Sequence, residues 1–198
     1  MSIYSVLADL LDYPKSGLVD DARLAVALLA RGHPSAAEAI GAFLTRIEAM
    51  APGALEELYT ATFDLGPTCP PYVGHHLFGD SFKRSAFLVE LGSTLRAHGI
   101  DPGQEQPDHL ALVLRLLDGL ERAEDRDQAL ALARDLRSEC LEPALRKMLQ
   151  ALGPDTGNPY YKIIEAALLV MEGGCLSGEP SMPEEPELEE IKDIATPH

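Results

Sequence analysis

Apolar residues recur at spacings of three and four along nearly the whole chain, and alternation at spacing two never extends beyond very short runs. That period belongs to helices that bury one face, so the chain is expected to be all-α, a single-domain helical bundle. Ser2 can cap a first helix with Ile3, Val6, Leu7, Leu10 and Leu11 on one face, ended by Tyr13-Pro14. A second runs from about Asp20 to Ala30 with Leu24, Leu28 and Leu29 inward, and Pro34 sits early in a third that carries Ile40, Phe43 and Ile47. Pro52 opens a fourth with Leu55, Leu58, Tyr59, Thr62 and Phe63 stacked. Asp80 or Ser81 caps a helix bearing Phe82, Phe87, Leu88, Leu91 and Leu95, closed by Gly99. Further helices follow over "HLALVLRLLDGLERA", from an Asp125 cap through Ala129, Leu132, Leu136 and Cys140 to a kink or restart at Pro143, and from Asn158-Pro159 through Met171.

The period fails once over a long stretch. From Gly66 to Gly79 there are three prolines and three glycines in fourteen residues, which predicts a long loop without a helix or a central strand. Long ordered loops in compact domains are often functional. From residue 178 onward the chain is rich in Pro and Glu and reads as a disordered acidic tail, so the helical domain is placed at residues 1–177.

Charge narrows the partners. The formal net charge is −16, from 32 acids and 16 bases. The tail contributes seven acids against one lysine, so most of the excess belongs to the body. Such a surface repels nucleic-acid phosphates and anionic membranes and attracts basic partners. Three widely spaced cysteines without a CxxC motif fit a reducing cytoplasm rather than a disulfide framework. The N-terminus has no basic n-region and reads as no signal peptide, and no apolar run reaches membrane-spanning length.

Four segments could carry function. In "TCPPYVGHHLFGDSFKR" (68–84), Cys69, His75 and His76 with Asp64 are the residue types of a metal site, and Cys69 with a histidine could form a nucleophile and base. Their spacing supports neither strongly, and no HExxH, GxSxG or phosphate-cradling loop accompanies them. In "EQPDHL" (105–110), Pro107 and Asp108 suit a helix start, whereas His109 in a first turn favours its neutral form. In "YTATFDLG" (59–66), Tyr59 and Phe63 form a core stripe, and Asp64 opposes the dipole at a helix end. The tail is the fourth, and gives an adaptor reading in which it is the working part.

In this order, Tyr59-x-x-x-Phe63-Asp64, Pro70-Pro71-Tyr72, His76-x-Phe78-Gly79, Arg84 and Glu105-x-Pro107-Asp108-His109-Leu110 resemble the signatures of the NarJ/TorD/DmsD family of molybdoenzyme maturation chaperones. The opening "LADLLDYP" resembles NarJ-like N-termini, and the similarity spans roughly residues 4 to 172. The resemblance implies an all-helical cytoplasmic chaperone with no catalytic activity and no cofactor of its own. Its partner would be the N-terminal leader, or leader remnant, of a molybdopterin-containing catalytic subunit, held until the cofactor is inserted, with cofactor-delivery proteins as further partners. It implies peptide-binding roles for Tyr59, Asp64, Pro71, Tyr72, His76, Phe78, Arg84, Asp108 and His109. Asp64 and Asp108 would meet leader arginines, and Tyr72, Phe78 and the prolines its apolar stretch. Two departures leave the client open. Arg115 stands where NarJ-like chains often carry Glu, and the "PTCPPYVGHHLFG" loop (67–79) is closer to chaperones of DMSO-reductase-type enzymes.

Overall fold

The computed structural model describes residues 2–123 and 126–173, and every described element is helical. The order is α1 (Ile3–Leu10), α2 (Leu18–Leu29), α3 (Pro34–Glu48), α4 (Ala54–Tyr59), α5 (Val73–Phe78), α6 (Phe82–Ala97), α7 (Leu110–Glu121), α8 (Arg126–Asp135), α9 (Glu142–Leu152) and α10 (Tyr160–Glu172). Among the described residues no helix is long and apolar enough to cross a membrane. The predicted Asp125 cap and the acidic tail from residue 178 lie outside the described residues.

Local chemistry sets the helix starts. The Ser2 hydroxyl accepts from Ser5 N–H, Ser81 accepts from Arg84 N–H, and the Asn158 side chain accepts from Tyr160 N–H. Pro34 occupies the first turn of α3, where its missing N–H costs nothing. α7 is the centre of the bundle. Leu110 to Leu114, Leu116, Leu117 and Leu120 are all buried, which a helix achieves only when neighbours surround it. α1 packs against α7 and α2, α2 against α3, and α10 against α3 and α9. The half-buried Arg115 escapes through Asp9 and Asp12 at 3.0 and 3.1 Å.

Two helices widen into π turns. Thr60–Asp64 continues α4, with Leu65 N–H donating to Thr60 O at 3.0 Å, five residues back. Leu136–Leu141 joins α8 to α9, where Glu142 N–H reaches Arg137 O. Pro143 has no N–H for the carbonyl four residues earlier, and the wide turn absorbs that vacancy. The predicted kink is therefore a π turn.

Three expectations need correction. The 66–79 stretch is not loop throughout, because Val73–Phe78 form α5. Pro67, Pro70 and Pro71 all precede that helix and so do not interrupt it. Leu24 is 38% exposed, and Ala22, Ala25 and Leu29 form the inward face of α2 instead. Phe82, placed in the core by its spacing, is 87% exposed. α6 carries apolar residues round most of its circumference, so spacing alone does not choose its buried face. The structure buries Leu91 and Leu95 and leaves Phe82 and Val89 outside.

Candidate functional site

The two irregular segments singled out by sequence are stitched together. Leu110 N–H donates to Pro71 O and Val73 N–H donates to Asp108 O, both at 2.8 Å, making an isolated antiparallel bridge between Tyr72 and His109. This joins the start of α5 to the start of α7.

Asp108 is the hub of that junction. Its side chain is fully buried, and Oδ2 accepts from Gly74 N–H at 3.1 Å and from Arg84 Nε at 3.2 Å. The carboxylate therefore caps α5 and anchors α6 at once. Gly74 has to be glycine here: a Cβ would lie 2.8 Å from Asp108 Oδ2 and 3.0 Å from Phe87. Gly92 has a similar role lower on α6, where a Cβ would stand 3.2 Å from Pro107. Arg84 also donates to Gln106 at 2.8 Å and lies over the Tyr72 ring at 5.6 Å. Tyr72 completes the cluster, with its hydroxyl 3.3 Å from Glu105 and its ring edge-on to His109.

This placement divides the nine sequence-derived site residues. Tyr72, Arg84, Asp108 and His109 are brought into one cluster. Pro71 is buried and contributes its carbonyl to the bridge. Asp108 already faces the chain's own Arg84 with no exposed surface, so in this conformation it has no side open to an incoming arginine. Tyr59 is also interior, in an aromatic cluster with Phe63, Tyr13 and Tyr160. His76 donates from Nε2 to Pro70 O at 2.7 Å. Phe78, 37% exposed, packs edge-on against Phe87. Asp64 is exposed at the end of the first π turn, beside Leu65.

An acidic field lies beside the cluster. Burial raises the Tyr59 hydroxyl's pKa, and the carboxylates of Asp12, Glu105 and Asp64 push it further the same way. Burial holds His109 below the usual histidine range, against the opposing pull of Glu105 and Asp12. Glu105 and Asp64 are exposed, and Tyr13, half exposed, adds an aromatic surface. Sequence reasoning left Tyr13, Asp12, Glu105 and Gln106 out of the site. Glu105 stood in the quoted "EQPDHL", and Asp12 and Tyr13, just after α1, stood in the quoted "LADLLDYP", but neither segment marked these residues as part of a site.

The nucleophile reading loses its chemistry. Cys69 is fully buried and its thiol is pushed up to about 12 by burial. His76 Nε2, at 3.9 Å, has its proton committed to Pro70 O and cannot act as the base. Among the described residues no group of three or more His, Cys, Asp or Glu could hold a metal ion.

The nitrate reductase delta subunit family model matches residues 28–152, which include every residue of the bridged cluster. The chain belongs to this family. It is also 29% identical over 123 residues to the nitrate reductase molybdenum cofactor assembly chaperone NarJ of Escherichia coli K12, and equally to that of E. coli O157:H7. The aligned region is 60% of this chain and 52% of each relative, so the chain spans about half the length of the curated relatives it matches.

Buried histidines give this family member a defined acid sensitivity. Burial lowers the pKa of His33, His76 and His109 in the folded state. In the unfolded chain they titrate near 6.5, so their contribution to stability is complete above about pH 6.5 and falls as pH drops towards the lowered native values. The urea midpoint should fall between about pH 6.5 and 5, and His109→Asn should shallow that slope. An equal slope in the variant would contradict the assignment.

Proposed function

We propose that this protein is a cytoplasmic assembly chaperone for the catalytic subunit of a molybdenum-cofactor enzyme, acting by binding rather than by turnover. Family membership supports the class, as does the cofactor-assembly role of the two E. coli relatives. The observation that carries the binding mode is the exposed pair Asp64 and Glu105, both of which act on Tyr72, whose hydroxyl donates to Glu105 at 3.3 Å. Neither Asp64 nor Glu105 is in an ion pair within the described chain.

A leader that is basic and then apolar fits this surface. Its cations meet Asp64 and Glu105, and its apolar residues meet Tyr72, Tyr13 and, at the end of α5, Phe78. Asp108, Arg84, His109, Pro71, His76 and Tyr59 act from beneath, by fixing α5 and the bridge. Exposed ion pairs are each worth about 0–1 kcal/mol, so most of the affinity comes from apolar burial. Cofactor-delivery proteins would join this complex rather than bind the chaperone's own cofactor.

The test is titration calorimetry of the full chain with a synthetic peptide of the client subunit's N-terminal segment. The expected result is 1:1 binding that weakens moderately with salt. Asp64→Lys with Glu105→Lys should weaken it by about tenfold at low salt. No heat, or binding indifferent to both charge reversals, would overturn this reading. An adaptor acting through its tail would instead lose binding when residues 179–198 are deleted.

A further inference from the structure

The far side of α6 faces a second cleft that the peptide reading above does not use. A cavity of about 230 Å³ lies between α6, α7 and the α8–π-turn wall. Phe87, Leu91, Leu116, Leu132 and Leu136 line it with apolar surface, and Cys140 sits among them. Leu132 is 39% exposed, so the cleft is open to solvent. Its wall is the π turn Leu136–Leu141, a departure from regular helix of the kind that often marks a working surface.

The charged residues around it are of one sign. Glu90, Asp135 and Glu139 line the same cleft, all three exposed, and no base is among its lining. None of the three makes an ion pair within the described chain. All three act on the Cys140 thiol, which sits in the same lining. Three unpaired carboxylates close together repel one another, and a cation placed among them relieves that repulsion. An apolar floor with an acidic rim is complementary to an amphipathic segment whose bulky apolar side chains are flanked by Lys or Arg.

We propose that the cleft between α6 and the α8–π-turn wall is a second docking site, which takes the apolar side chains of a basic amphipathic segment from another protein. The site deepens the chaperone reading and rests on it only for the source of that segment. It places client contacts on both sides of α6, the helix that Arg84 and Asp108 anchor to the rest of the fold. A second copy of this chain or its own acidic tail are the competing occupants, and the acidic rim disfavours the tail.

The experiment uses the full chain and a fluorescein-labelled synthetic peptide with Leu at helical spacings and Arg beside them. Binding is read by anisotropy, and occupancy of the cleft by protection of Cys140 from maleimide, measured by mass spectrometry. The arginine peptide should bind and protect Cys140, and its Arg→Glu counterpart should do neither. Leu132→Asp, at a partly exposed position, should weaken binding at least about tenfold. The isosteric set Glu90→Gln, Asp135→Asn and Glu139→Gln should weaken it by about tenfold at low salt. Unchanged affinity in both variants, or binding without Cys140 protection, overturns the site. So does protection that needs no peptide, whether it disappears on deleting residues 174–198 or rises with protein concentration. The client's own N-terminal peptide separates the two readings. If it binds and leaves Cys140 reactive while the arginine peptide protects Cys140, the two sites are separate and both readings stand; if it binds while the arginine peptide gives no protection, the cleft proposal fails and the leader reading stands. If it does not bind while the arginine peptide protects Cys140, the leader reading fails and the cleft stands.

Discussion

Asp108→Ala is expected to destabilise the protein by about 3 kcal/mol, because it removes one partner of a buried charge pair and leaves the other behind. The fully buried carboxylate serves Gly74 N–H and Arg84 Nε together. Arg84 keeps Gln106 and the Tyr72 ring, which places the cost at the lower end of what such deletions produce. For a chain of this size the loss corresponds to about 6–12 °C in Tm. Asp108→Asn keeps an acceptor for Gly74 N–H and loses only the charge, so its cost should be smaller, about 1–2 kcal/mol. A thermal melt of the two variants decides the point. Equal and small losses would mean that the carboxylate does not hold α5 and α6.

Tyr160→Ala should cost about 4 kcal/mol, as other large-to-small aromatic deletions in cores do. Tyr160 is fully buried, with its ring 5.0 Å from Phe63, 5.7 Å from Phe43 and 5.7 Å from Tyr59. It therefore links α10 to α3 and to the end of α4, and a cavity there cannot collapse without moving three elements. Tyr160→Phe separates ring from hydroxyl. The buried hydroxyl finds no hydrogen-bond partner within the described chain, so its removal should be neutral or stabilising by up to about 1 kcal/mol. Denaturant titration of both variants measures this. A loss above about 1 kcal/mol in Tyr160→Phe would show that the hydroxyl is bonded after all.

Much of the fold was legible because its signals are local. Ser2, Ser81 and Asn158 cap helices through their own next turn, and Pro34 and Gly99 mark ends by backbone geometry that no distant contact alters. The site was legible only as a list of segments. That Tyr72 would pair with His109 depends on a bridge between residues 37 apart in sequence, and periodicity says nothing about it. Asp108 looked available to a partner because a first-turn carboxylate usually faces water. Its burial is decided by Arg84 from another helix and by the missing Cβ of Gly74. Gly74 itself reads as a helix breaker, which concealed α5. Arg115 read as a departure from the family pattern, and the structure supplies its reason in Asp9 of α1 and Asp12 just after it.

The proposed role is assistance with cofactor assembly in a molybdoenzyme subunit. The most direct measurement is the molybdenum and molybdopterin content of the purified client subunit, produced with and without this chain. Without this chain the subunit should accumulate but lack most of its cofactor, and the wild-type chain should restore loading while the Asp64→Lys, Glu105→Lys variant does so poorly. A subunit fully loaded without this chain would contradict it.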